Sequence, residues 1–114
     1  MGHEDTARSN HRSGYNCAQS VFVAFADQLG VSPIEAMRMA PKPRSEGGKC
    51  GAYLAGMAIL ERLKPEAAEA FRKAFEQTNG AIECRALVAS HGKLRKSCND
   101  YVGDAARLLD SVME

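Results

Sequence analysis

Apolar residues along this chain recur at helical spacing and nowhere alternate with polar ones over a sustained stretch. Cys17, Val21, Ala24, Phe25 and Leu29 fall three or four residues apart for the most part, the period of one helix face. They predict a helix from about Asn16 to Leu29, stopped by Gly30. Ser32-Pro33-Ile34-Glu35 reads as a capping box with proline at the first helical position. The short helix it opens ends by Ala40, because Pro41 and Pro43 disfavour continuation. Lys42 to Lys49 is a polar loop ending in Gly47 and Gly48, and the next helix runs from near Cys50 to about Leu63. Pro65 opens another, to Gln77, with Ala68, Phe71, Ala74 and Phe75 on one face and Thr78-Asn79-Gly80 closing it. A shorter segment covers about Ala81 to Ser90, before Gly92. A last helix begins near Ser97 and carries Tyr101, Val102, Ala105, Leu108, Leu109 and Val112. The expectation is an all-α, compact single-domain bundle of five or six short helices.

Composition agrees with that pattern. The chain has 18 Ala against 11 β-branched residues, a helical bias. Its 114 residues suit one domain. With 45% hydrophobic and 25% charged residues, wholesale disorder is excluded. A net charge of +1 and the absence of Trp give no support for a nucleic-acid partner. Residues 1–13 are polar and read as a flexible N-terminal segment, leaving 14–114 as the helical domain. That segment lacks the apolar stretch of a secretory signal. The longest apolar run, Cys50 to Leu60, contains two Gly and is far shorter than the roughly 18 residues of a membrane span. A cytoplasmic protein with no membrane partner is expected.

Four cysteines change this bland picture. In the cytoplasm such residues read as metal-binding or redox-active more readily than as structural staples. Cys17, Cys50, Cys84 and Cys98 each fall near a predicted helix start, and the fourth residue onward is Val21, Leu54, Val88 or Val102. Residues four apart share a helix face, so each sulfur is expected at the N-terminal end of a core-facing stripe. The free N–H groups and partial positive charge there favour thiolates or an anionic cluster. The intervals of 33, 34 and 14 residues contain no Cys-x-x-Cys, so neither a zinc ribbon nor a thioredoxin-type motif is present. The competing reading is that each cysteine is a small buried hydrophobe.

Tyr15-Asn16-Cys17-Ala18-Gln19-Ser20-Val21, then Gly47-Gly48-Lys49-Cys50-Gly51-Ala52, then Cys84 and Cys98, resemble the C_GCAxxG_C_C family of redox-active proteins. The resemblance runs from about Gly14 to the C-terminus. It implies a helical domain that is redox-active or binds a metal cofactor. One position departs: where the family has a glycine three residues beyond the Cys-Gly-Ala core, this chain has Ala55, followed by Gly56.

Three chemistries fit the thiols. In the first, Cys17, Cys50, Cys84 and Cys98 hold an iron–sulfur cluster for electron transfer, or a metal ion such as zinc. Lys49, Lys93, Arg95 and Lys96 would then offset its charge or dock a redox partner protein, or else form a solvated loop. In the second, the same four residues are redox thiols in a thiol–disulfide oxidoreductase or sensor with no cofactor, and three pairings are open. In the third, the chain is a helical binding module and the cysteines pack its core. Other candidates are weaker. His3 and His11 lie in the polar N-terminal segment and His91 in a loop, all expected at the surface. Tyr15, Tyr53 and Tyr101 each lie within three residues of a cysteine and are expected to wall the thiols or pack the core. Glu61, Glu66, Glu69 and Glu76 interleave with Arg62, Lys64, Arg72 and Lys73 as a solvated helical face. No nucleotide-binding loop and no di-iron Glu-x-x-His motif occurs.

Overall fold

The computed structural model describes residues 3–89 and 97–113. They form α1 (Glu4–Arg12), α2 (Cys17–Ala24), α3 (Ala26–Leu29), α4 (Pro33–Met39), α5 (Ser45–Gly48), α6 (Gly51–Leu63), a 3₁₀ turn (Pro65–Ala67), α7 (Ala68–Asn79), α8 (Cys84–Ala89) and α9 (Cys98–Met113). The all-α expectation holds. Six of these helices have seven residues or more, and short helical turns fill places that the sequence pattern reads as loop or as continuous helix. The predicted helix 16–29 is two helices, because Phe25 leaves helical geometry (φ −102°, ψ 12°). The polar loop before Cys50 contains the single turn α5. The predicted His91, Gly92, Lys93, Arg95 and Lys96 features, and Ser90 as a helix end, lie outside the described residues.

Several helix ends follow from their own sequence. Ser32 caps α4 by accepting the Glu35 N–H at 3.2 Å, with Pro33 at the first position. Asn16 and Gln19 form a reciprocal capping box on α2: Asn16 Oδ1 accepts the Gln19 N–H at 2.7 Å, and Gln19 Oε1 accepts the Asn16 N–H at 3.2 Å. Ser97 and Asp100 also pair at the start of α9, where Asp100 Oδ2 accepts the Ser97 N–H at 2.8 Å.

Polarity alone sets residues 1–13 apart from the helical domain. In the structure α1 packs against both α2 and α9, with Ala7 fully buried. Asn10 Nδ2 donates to the Ser20 carbonyl at 3.1 Å. The His3 ring stacks on Phe25 with centroids 4.1 Å apart, and its Nδ1 contacts Asp110 Oδ1 at 2.8 Å. These polar residues therefore bury a surface that composition does not reveal.

The core lies among α2, α6, α7 and α9, filled by Phe22, Tyr53, Ile59, Phe71, Phe75 and Leu109. The expected apolar face of α7 is correct in Phe71 and Phe75, both fully buried. Its opposite side carries Arg72, which pairs with Glu69 and with Glu76, as a solvated charged face should. No helix among the described residues is long and apolar enough to cross a membrane.

Candidate functional site

Local structure puts every cysteine at a helix start: Cys17, Cys84 and Cys98 are the first residues of α2, α8 and α9, and Cys50 is the N-cap of α6. Two devices gather them. Gly47 and Gly48 both have left-handed backbone (φ 84° and 81°), which glycine adopts without steric cost. They turn the chain into an isolated antiparallel bridge between Lys49 and Glu83. The Cys50 N–H donates to the Ile82 carbonyl at 2.7 Å, so Cys50 and Cys84 arrive side by side. The second device is Gly51. A Cβ there would stand 3.1 Å from the Ala18 nitrogen and from Pro43 Cβ, and 3.2 Å from Cys17 Cβ. A side chain there would press the starts of α2 and α6 a few tenths of an ångström apart.

The result is one cavity of about 30 Å³ lined by all four cysteines together with Pro43, Leu87, Val88 and Tyr101. Cys50 is buried and the other three are half-buried. Tyr101 walls the cavity as expected, but its hydroxyl donates to the Leu87 carbonyl at 3.0 Å and locks α9 to α8. Tyr53 stacks on Phe71 instead. The expected core-facing position of Val88 is wrong: it is 50% exposed, and Leu87 is the buried residue of α8. With only six residues, that helix turns a different face to the core, leaving Val88 at the rim of the cavity.

Electrostatics reverse the expectation of depressed thiol pKa values. Burial, then the charges of Cys98 and Cys50, push the Cys17 thiol up to about 12. Burial likewise pushes Cys50 up to about 11, although the Tyr53 and Ala52 backbone N–H groups at the start of α6 act the other way. Helix-start N–H groups do lower proton affinity, but here desolvation and sulfur–sulfur repulsion outweigh them. Cys98 lines the same cavity as Cys17 and is the first of the neighbouring sulfurs whose charge raises it.

Three residues stand behind Cys17, and among them His11, expected at the surface, is half-buried. His11 Nε2 lies 3.8 Å from Cys17 Sγ. His11 Nδ1 lies 3.4 Å from Asn99 Nδ2. Asn99 in turn donates from Nδ2 to the Arg8 carbonyl at 3.0 Å. Asn99 follows Cys98 directly, which is a usable signal; nothing in the sequence points to Arg8 or brings His11 to Cys17. The predicted Lys49 does not line the cysteine cavity. It faces a separate hollow of about 410 Å³ with Tyr53, Met57 and Glu61.

The family model described as "Putative redox-active protein (C_GCAxxG_C_C)" matches residues 15–112. The chain belongs to the C_GCAxxG_C_C family. Searches among curated proteins and solved structures find no match. The metal cofactor implied by the sequence resemblance can be tested on the donors. Four thiols suit a cluster or a zinc ion in number and kind. Yet among the described residues no three His, Cys, Asp or Glu side chains are placed to hold a metal ion. All four sulfurs nonetheless line one cavity.

Proposed function

We propose that this family member is a thiol–disulfide redox protein whose working pair is Cys17 and Cys98. The observation that carries this reading is one small cavity lined by all four cysteines, in which burial and then the charge of Cys98 raise the Cys17 thiol. One sulfur of the pair attacks a disulfide of a redox partner; a mixed disulfide forms and one partner thiolate leaves. The second sulfur of the pair then displaces the other partner thiol. The pair loses two electrons and two protons, and the partner disulfide gains them as two thiols. Cys50 and Cys84 form the adjacent pair, held together by the Lys49–Glu83 bridge.

The test is oxidation of the reduced, metal-free protein with glutathione disulfide, followed by peptide mapping. The expected product is a Cys17–Cys98 crosslink with loss of two thiols, and replacing the resolving sulfur of the pair by Ser should stop the reaction at a mixed disulfide. A second reading, an iron–sulfur cluster for electron transfer, is supported by the convergence of four helix starts on one cavity. Visible charge-transfer bands with iron and sulfide after purification without air would establish it instead. A colourless, metal-free protein keeping all four thiols under oxidant would make the cysteines packing residues of a binding module.

A further inference from the structure

The contacts behind Cys17 fix a proton. Asn99 Oδ1 faces Arg8 Nη1 at 3.3 Å, and Asn99 Nδ2 faces the Arg8 carbonyl at 3.0 Å. A guanidinium only donates and a carbonyl only accepts, so both contacts orient the Asn99 amide the same way. Its Nδ2 carries a second hydrogen, directed at His11 Nδ1, 3.4 Å away. Nδ1 is therefore the accepting nitrogen, and in the neutral ring the proton sits on Nε2. That nitrogen faces Cys17 Sγ at 3.8 Å.

We propose that His11 is a positioning residue: held as the Nε2–H tautomer by Asn99, it donates to Cys17 Sγ, turns the Cys17 S–H toward Cys98, and so makes Cys98 the attacking sulfur and Cys17 the resolving one. This rests on the thiol–disulfide reading above. The contacts run in one direction, from Asn99 to His11 to Cys17, with Cys98 lining the same cavity as Cys17, and hydrogen bonds aligned in series polarise one another. The raised proton affinity of Cys17, led by burial, agrees with a proton retained on that sulfur. In the exchange, the Cys98 sulfur bonds to one sulfur of the partner disulfide and the other leaves as thiolate, taking up the proton lost by Cys98. Cys17 then attacks Cys98, its own proton goes to the second leaving thiolate, and His11 keeps its proton throughout.

The test uses the reduced, metal-free full chain. Nitrogen-15 NMR of the His11 ring should show the proton on Nε2. Limiting iodoacetamide should modify Cys98 before Cys17. His11→Leu, which fills the space without a donor, should slow Cys98 alkylation about fivefold, the weight of one ordinary hydrogen bond. His11→Gln, which restores an N–H at similar reach, should stay within about twofold of the parent. A ring proton on Nδ1, earlier modification of Cys17, or equal behaviour of the Leu and Gln variants would overturn the proposal. These measurements are made on reduced thiols and decide the role of His11 whatever the oxidised form is. Failure of the Cys17–Cys98 crosslink in the mapping experiment separately removes the thiol–disulfide reading.

Discussion

The two glycines of α6 meet opposite kinds of neighbour. At Gly51 a Cβ would press on backbone and on short, fixed side-chain atoms, with its nearest contacts at 3.1 Å. At Gly56 it would enter the ring of Phe71, 2.3 Å from Cζ. That ring is fully buried and lies 6.0 Å, centroid to centroid, from both Tyr53 and Phe75. One end of the helix uses the missing side chain to admit an aromatic ring and close the core. The other uses it to bring a second helix start alongside and gather sulfur around a small void. The core end gains dense packing; the site end keeps its thiols desolvated, which favours their protonated form. That contrast marks the cysteine cavity as a place whose stability depends on keeping its thiols protonated.

The largest expected consequence is alkaline. Cys17 and Cys50 are raised from 9.0 to about 12 and about 11, with burial the leading cause for each. A group whose pKa is raised on folding contributes stability that is complete below its unfolded value and is lost as pH rises through the folded one. Each thiol therefore tilts stability downward by up to about 1.4 kcal/mol per pH unit, between about pH 9 and pH 11 for Cys50 and up to about 12 for Cys17. Urea unfolding of the reduced, metal-free protein across this range measures the slope. Cys50→Ala should remove its share. Stability that stays level from pH 9 to 11 would erase the distinction between the two ends.

Next comes the core glycine. Gly56→Ala should destabilise by about 2 kcal/mol, the cost of overpacking a full site reduced by the better helix propensity of Ala. Combining it with Phe71→Leu, which makes room, should lose less than the sum of the two single changes. Additive losses in denaturant unfolding would mean that Gly56 and Phe71 do not meet as described.

The sequence discloses these two ends unequally. Phe71 and Phe75 announce the core face of α7, because four-residue spacing translates directly into a shared helix face. The cysteines announce their helix starts for the same local reason: Asn16 with Gln19 and Ser97 with Asp100 are capping pairs readable in one dimension. The gathering of the four into one cavity can be inferred from that shared position, but its mechanism is hidden. It depends on Gly51 lying against Ala18 and Pro43 and on Lys49 lying beside Glu83, contacts between residues far apart in the chain. The direction of the thiol pKa shifts is misleading in sequence because helix-start N–H groups are local, whereas burial and the charge of the other sulfurs arrive only with the fold. His11 is hidden for a related reason: it sits on a polar helix whose one buried residue is small, Ala7.

Gly51→Ala sharpens the comparison further. Its contacts are tight rather than overlapping, so the stability change should stay within about 1 kcal/mol. The effect should fall on the site instead. Moving α2 and α6 apart weakens the repulsion that Cys50 exerts on Cys17, so the alkaline loss of stability should become shallower. Unfolding at pH 8 and pH 11 separates the outcomes. A large loss at pH 8 with an unchanged alkaline slope would make Gly51 a core glycine like Gly56.

The smallest effect concerns the acid side of the same end. Asp100 is held below its usual carboxylate range, first by the Arg8 guanidinium and then by the Ser97 backbone N–H. Its contribution is present above the ordinary value of 3.8 and is lost as pH falls below it. Arg8 Nη1 reaches Asp100 Oδ1 at 2.9 Å, but both partners are partly exposed, so the pair is worth roughly 0.2–1 kcal/mol. Asp100→Asn should cost no more than that at pH 7 and less as the pH is taken below 3.8, as read by urea midpoints. The substitution also tests whether Arg8 needs a charged anchor to orient Asn99. If the amide keeps its place through the Arg8 carbonyl alone, the His11 ring proton stays on Nε2 in the variant, and the acid-sensitive clamp serves only to fasten α1 onto α9. If the proton moves to Nδ1, the electrostatics of the α9 start reach the cysteine cavity through Arg8.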